Sequence, residues 1–164
     1  MRWPLFLVPL LVGMFVVPAS ARSKLDIADF AAQEARLAAI SHRLARASAS
    51  WCPDIIPQPG WLLEDRRRFG DQDWAAAQHA YGAPPGGPFI AALAPGSAAE
   101  RAGLVRGTLI AAINGQPIAT PSDDETIRID TAIVAVAALD PAEALSVTDA
   151  SGRTYRLEIG RAHV

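Results

Sequence analysis

The chain has 164 residues, 51% hydrophobic and 20% charged, which permits a packed core and argues against wholesale disorder. A net charge of −2 with no long basic block leaves no electrostatic footprint for nucleic acid. Cys52 is the only cysteine, so no disulfide can close within the chain.

Residues 1–21 read as an export signal. Arg2 supplies a positive start, Leu5 to Val17 is an apolar run, and Ala19-Ser20-Ala21 is a small-x-small cleavage site. The run falls short of the roughly 20 apolar residues that span a bilayer comfortably. An uncleaved anchor is the alternative. Arg22 stands where a lipoprotein would carry cysteine, so lipidation is not expected there. The expected location is therefore periplasmic or secreted, with membrane contact only through the signal segment if it stays uncleaved.

Residues 22–59 are expected to form an N-terminal helix and a proline-rich linker. From Leu25 to about Ala47, Phe30, Leu37, Ile40 and Leu44 recur at helical spacing as an apolar face. Asp26 and Asp29 near the start and Arg43 and Arg46 near the end suit the helix dipole. His42 has no ligand partner in spacing and reads as a surface histidine. Pro53, Pro57 and Pro59 mark the linker from Ser48 to Gly60. Cys52 within it is a buried thiol or awaits a partner elsewhere; no histidine or aspartate pattern around it supports a nucleophile.

Residues 60–159 read as one folded unit. Gly60-Trp61-Leu62-Leu63 is a short apolar strand, and Arg66-Arg67-Arg68 after it reads as solvated surface. A helix from about Asp71 to Tyr81 follows, with Trp74, Ala77, Gln78 and Tyr81 on one side and Asp71 or Asp73 as its cap. His79 reads as a partly exposed neighbour of Tyr81. After the loop Ala83-Pro84-Pro85-Gly86-Gly87, Phe89 to Leu93 is a buried strand broken by Pro95-Gly96-Ser97. Ser97 caps a helical turn, Ala98 to Ala102, stopped by Gly103. Leu104 is an apolar plug, Gly107-Thr108 a tight turn, and Leu109 to Ile113 a strand ending in the Asn114-Gly115 turn.

That ordered set, Pro95-Gly96-Ser97-Ala98-Ala99, Ala102-Gly103-Leu104, Gly107, Leu109-Ile110 and Ile113-Asn114-Gly115, resembles a PDZ domain of the bacterial periplasmic type. The family usually has aspartate where Thr108 stands; a threonine hydroxyl can still cap the turn. The resemblance implies an α+β fold: a small, partly open β-barrel or sandwich with two helices, here preceded by the N-terminal helix. In the PDZ domains of the high-temperature-requirement serine proteases the carboxylate-binding loop and its strand lie upstream of the first core strand. Gly60-Trp61-Leu62-Leu63 is the corresponding segment, although Leu63 replaces the family's loop glycine. Backbone amides at a tight turn hold a carboxylate, and the edge strand accepts a peptide as an extra strand. A plain core edge strand is the other reading of the segment.

Beyond Ile118, Thr120 to Glu125 is an acidic helix start, and Ile127 to Leu139 carries Ile129, Ile133, Val136 and Leu139 at helical spacing. Its β-branched content keeps a strand reading open. In a PDZ domain this helix forms the second wall of the groove, so the resemblance implies an apolar pocket lined by Leu62, Ile129 and Ile133. Leu145 to Asp149 and Thr154 to Leu157 form a closing hairpin around Ser151-Gly152. The ending Glu158 to Val164 resembles a translated sequencing-adapter read, with residues 160–164 as an artefact of truncation; a natural polar tail is the alternative.

No zinc-binding His-Glu-x-x-His, Gly-x-Ser-x-Gly elbow or glycine-rich phosphate loop occurs. The expectation is a non-enzymatic, cofactor-free and metal-free module that binds peptide or protein C-termini, or extended peptides, through Gly60, Trp61, Leu62, Leu63, Ile129 and Ile133. The alternative is a non-catalytic regulatory or spacer front of a larger exported peptidase. The order of signal, helix, cysteine and PDZ resembles certain bacterial zinc metallopeptidases.

Overall fold

The structure, a computed structural model, describes residues 26–51, 57–118, 132, 134–136, 138 and 143–159. The export segment, Arg22, Cys52, the acidic stretch Thr120 to Glu125, Ile127, Ile129, Ile133, Leu139 and the tail from Gly160 lie outside the described residues.

Helix α1 spans Ile27–Ser48. Asp26 caps it from extended backbone, its carboxylate accepting from the amides of Ala28 and Asp29. Strand β1, Trp61–Glu64, leads through a 3-10 turn at Arg66–Arg68 into helix α2, Gly70–Tyr81. Strand β2, Phe89–Leu93, is followed by the single-turn helix α3, Ala98–Arg101, capped as expected by the Ser97 hydroxyl, which accepts from the Glu100 amide at 3.2 Å. Strands β3, Ile110–Ile113, and β4, Gln116–Pro117, flank the Asn114-Gly115 turn, and β5, Leu145–Asp149, and β6, Thr154–Leu157, form the closing hairpin. Residues 132 and 134–136 are helical.

The strands make two antiparallel sheets, β1-β2 and β4-β3-β5-β6. Strand β2 lies between two apolar layers because its side chains alternate. Ile90 joins a first core with Leu104, Ile110, Ile113, Ile118, Ala132, Val136, Leu145, Val147 and Leu157. Phe89 and Ala91 join a second core with Ile27, Ala31, Trp74, Ala77 and Tyr81. Leu104 is the expected plug, 2% exposed, and follows Gly103, whose φ of +87° suits glycine. The Thr108 hydroxyl closes its turn by donating to the Val105 carbonyl at 2.7 Å.

Two sequence expectations fail around the second core. The buried face of α1 is Ile27, Ala31 and Glu34, whereas Leu37, Ile40 and Leu44 are 58%, 43% and 64% exposed. The helix docks on α2 and β2 where Ala31, Ala77 and Ala91 are all buried; small side chains allow that approach and leave the larger ones outside. Helix α2 begins at Gly70 with Phe69 in the cap position and no side-chain cap, while Asp71 and Asp73 occupy its first turn.

The arginine run is solvated as expected at Arg66 and Arg68, both exposed, and is also engaged in ion pairs. Arg68 pairs with the buried Glu34 at 3.2 Å and with the buried Glu64, and lies 5.0 Å over the Phe30 ring. Arg66 pairs with Asp71 at 3.1 Å and lies over Trp74, and Arg67 approaches Asp65 at 3.9 Å. The Tyr81 hydroxyl donates to Glu34 at 2.5 Å, so one carboxylate ties α1 to both the 3-10 turn and α2.

Candidate functional site

Gly60 opens the candidate groove. Its φ is +80°, and a Cβ there would come within 2.3 Å of the Ser97 Cβ and 3.2 Å of His42 Nδ1. Glycine is therefore required by both backbone and space. The Gly60 carbonyl accepts from the Ala94 amide at 2.7 Å, and the Pro59 carbonyl from the Ala99 amide at 3.0 Å. These bonds clamp the turn onto the start of α3, so the Pro-Gly-Ser motif positions the loop before β1. That role was invisible in the linear motif, because its two halves lie far apart in sequence.

From this turn β1 runs antiparallel to β2, Trp61 opposite Leu93, Leu62 opposite Ala92, Leu63 opposite Ile90 and Glu64 opposite Phe89. The register slips between Leu62 and Leu63, an irregularity that leaves Ala91 as the extra residue of β2. Among the described residues β1 has no second strand partner. Trp61 and Leu63 pack against the first core, which includes Ala132 and Val136 of the helical segment, with Ala135 also against it. Leu62 packs on the second core instead.

Leu62, expected to line the pocket, packs instead toward α1 and α2, while Trp61 and Leu63 pack on the side of Ala132 and Val136. The two-residue period of a strand carries that signal, and reading it would have paired Trp61 with Leu63. Gly60, Trp61 and Leu63 are brought together at the edge; Ile129 and Ile133 lie outside the described residues.

His42 is not a plain surface residue. Its Nδ1 is buried without a hydrogen-bond partner, next to Gly60. Burial, then the charges of Arg46 and Arg101, hold its pKa below the usual 6.5. His79 on α2 is exposed. Beyond the far end of β1 a polar hollow of about 480 Å³ is lined by Asp65, Arg66, Arg67, Gly70, Asp71, Gly86 and Gly87. Without an apolar wall it is a poor receptacle for an apolar side chain.

The chemistry this arrangement offers is recognition: backbone groups on an open strand edge, a glycine turn at one end, and apolar side chains facing a helix. No group of three or more histidine, cysteine or carboxylate side chains able to hold a metal ion occurs among the described residues. No curated protein matches the chain, and no solved structure does. Residues 89–129, which take in β2, α3, β3 and β4, match the family model of the PDZ domain, so over that stretch the chain is similar to a PDZ domain.

Proposed function

We propose that the chain is an exported peptide-binding module of the periplasmic PDZ type whose ligand pairs as a strand with the open edge of β1. The ligand carboxylate meets backbone amides from Gly60 to Leu62. Its last apolar side chain meets Trp61 and Leu63, with Ile129 and Ile133 as the further lining expected from the sequence. The observation that carries this reading is the edge itself: β1 is paired on one side only among the described residues, and starts at a glycine turn held by α3. Backbone pairing supplies affinity and the apolar pocket supplies selectivity. Affinity is modest, because a flexible peptide loses conformational freedom on docking.

The test alters the ligand and leaves the protein intact. Peptides ending in a free carboxylate and an apolar residue are titrated while tryptophan fluorescence is followed. Amidating the carboxylate, or N-methylating the backbone that would pair with β1, should each weaken binding by roughly tenfold or more. Binding indifferent to both changes rejects this groove. Export rests on the Arg2-to-Ala21 pattern. Mass spectrometry of exported material should find a chain beginning at Arg22; one beginning at Met1 rejects cleavage there.

A further inference from the structure

Helix α1 carries a second surface, apart from the groove. At 3.6 residues per turn, Leu37, Ile40 and Leu44 fall within an arc of about 60°. All three are exposed, and Trp51, just past the helix end, is 83% exposed. Arg36 and Arg43 border the Ile40 side of this arc, Arg46 lies further round, and all three are exposed. From Ala35 to Trp51 there is no aspartate or glutamate. The helix stays anchored to the fold through its other side, Ile27, Ala31 and Glu34.

We propose that this face of α1 docks on an anionic lipid bilayer, lying in the plane of the interface with Leu37, Ile40, Leu44 and Trp51 in the acyl boundary and Arg36 and Arg43 among the headgroup phosphates. Three observations select this occupant. From Ala35 to Trp51 the Ile40-side border is cationic and without acid, and on the other border Glu34 is buried and paired with Arg68, which fits an anionic surface against this part of the helix. Asp29 lies about two turns before Arg36 on the same side. The centre is apolar, which a purely phosphate-bearing polymer would leave wetted. An exposed tryptophan at the edge of an apolar stripe suits the membrane interface, where an amphipathic ring has both an apolar and a wet neighbour. Arginine suits the border because its stem can lie along apolar surface while the guanidinium reaches the phosphates. None of the described helices is long and apolar enough to cross a membrane, so the contact is a surface one.

The test reads the depth of Trp51 in the full chain carrying Trp3→Phe. The chain is mixed with phosphatidylglycerol vesicles, and separately with phosphatidylcholine vesicles, both bearing brominated acyl chains. The difference in quenching between this chain and one also carrying Trp51→Phe isolates Trp51 from Trp61 and Trp74. The expected result is Trp51 quenching on the anionic vesicles, reduced roughly tenfold or more by Arg36→Glu with Arg43→Glu, and reduced by Leu44→Gln. Circular dichroism should stay unchanged, because the substituted side chains are exposed. Any anchoring by residues 1–21 is common to all variants and leaves the difference interpretable. Trp51 quenching that ignores lipid charge or survives the double reversal overturns the proposal. So does sedimentation showing a lipid-free dimer that Leu44→Gln dissociates, which would assign the face to a second copy.

Discussion

The two cores are built from different materials. The first is aliphatic, with Ile90, Leu104, Ile110, Ile113, Leu145 and Leu157 filling the space between β2 and the four-stranded sheet. The second mixes alanines with Trp74, Tyr81 and Phe89, whose rings sit 5.5–6.2 Å apart, and is bordered by the Glu34, Glu64, Arg68 and Tyr81 network. The aliphatic side chains of the first core are held by burial and are themselves indifferent to pH; its titratable contacts sit at the edge, where Tyr155 donates to Asp149. The second depends on each polar partner staying in place, since a buried carboxylate that loses its donors is costly. Stability and pH response should therefore divide between the two layers.

The largest effect is expected in the first. Leu104→Ala removes a fully enclosed side chain and should cost about 2–5 kcal/mol in urea unfolding. An unchanged midpoint would contradict its placement under α3.

Glu34→Gln is the corresponding probe of the second core, with an expected cost of about 1–3 kcal/mol. Its effect should be local: amide exchange should quicken in α1 and α2 while β3 and β5 keep their protection. Exchange that quickens equally everywhere would make the two layers one cooperative unit. The same variant has an optical readout. Burial first, then Glu34 as hydrogen-bond partner and charge, raise the Tyr81 pKa well above 10. Stability from a raised phenol is complete below pH 10 and is lost as pH rises toward the folded value. Tyrosinate absorbance should therefore show Tyr81 titrating late, and earlier in Glu34→Gln.

His42 gives a smaller effect of opposite sense. Its folded pKa is lowered, so the unfolded chain takes up the proton first; this contribution is full above pH 6.5 and is lost as pH falls through the folded value. The groups facing it are Arg46 on its own helix and Arg101 on α3. His42→Gln should flatten the stability profile just below pH 6.5, and an unaltered slope would remove His42 from its place beside Gly60.

Smallest of all is the β5–β6 turn. The Asp149 carboxylate accepts from the Ser151 hydroxyl at 2.6 Å and from the amides of Ser151 and Arg153 at 2.8 and 3.0 Å. The Ser151 bond is the main cause holding its pKa below 3.8. The stability is present above 3.8 and drains as pH falls through the lower folded value. NMR titration should find Asp149 still ionised at pH 3.8; a half-protonated Asp149 there would show that the turn does not depend on it.

The same division explains what could be read from the chain. Phe89 to Ile118 was legible because each step is written locally: an apolar run, Ser97 as a cap, Gly103 at a left-handed position, and Asn114-Gly115 at a turn. Leu104 was legible for the same reason. The second core was not, because its rules are non-local. Alanine packing in α1 inverts the usual inference from a leucine stripe, and Glu34 looks like a surface residue until Arg68 and Tyr81 arrive from elsewhere. At the groove, Gly60 stood out as a turn glycine, but its need for space came from Ser97 and His42. The inward face of β1 was readable from strand alternation, which places Trp61 with Leu63, and the pocket drawn through Leu62 overlooked it.

The pairing of β1 with β2 has a kinetic consequence. Strands β5 and β6 are joined by a tight turn, so their ladder closes a short loop. Strand β1 meets β2 only after the 3-10 turn, all of α2 and the Ala83–Gly87 loop have been gathered in between. Closing the longer loop costs more chain entropy, and long-range pairing is the slower event. The edge that would receive a peptide is thus assembled late, on a β2 already held by its bonds to Thr108 and Gly107. A folding intermediate would show a protected β5–β6 ladder beside an unformed binding edge, and pulse-labelled hydrogen exchange would see Trp61 to Glu64 gain protection last.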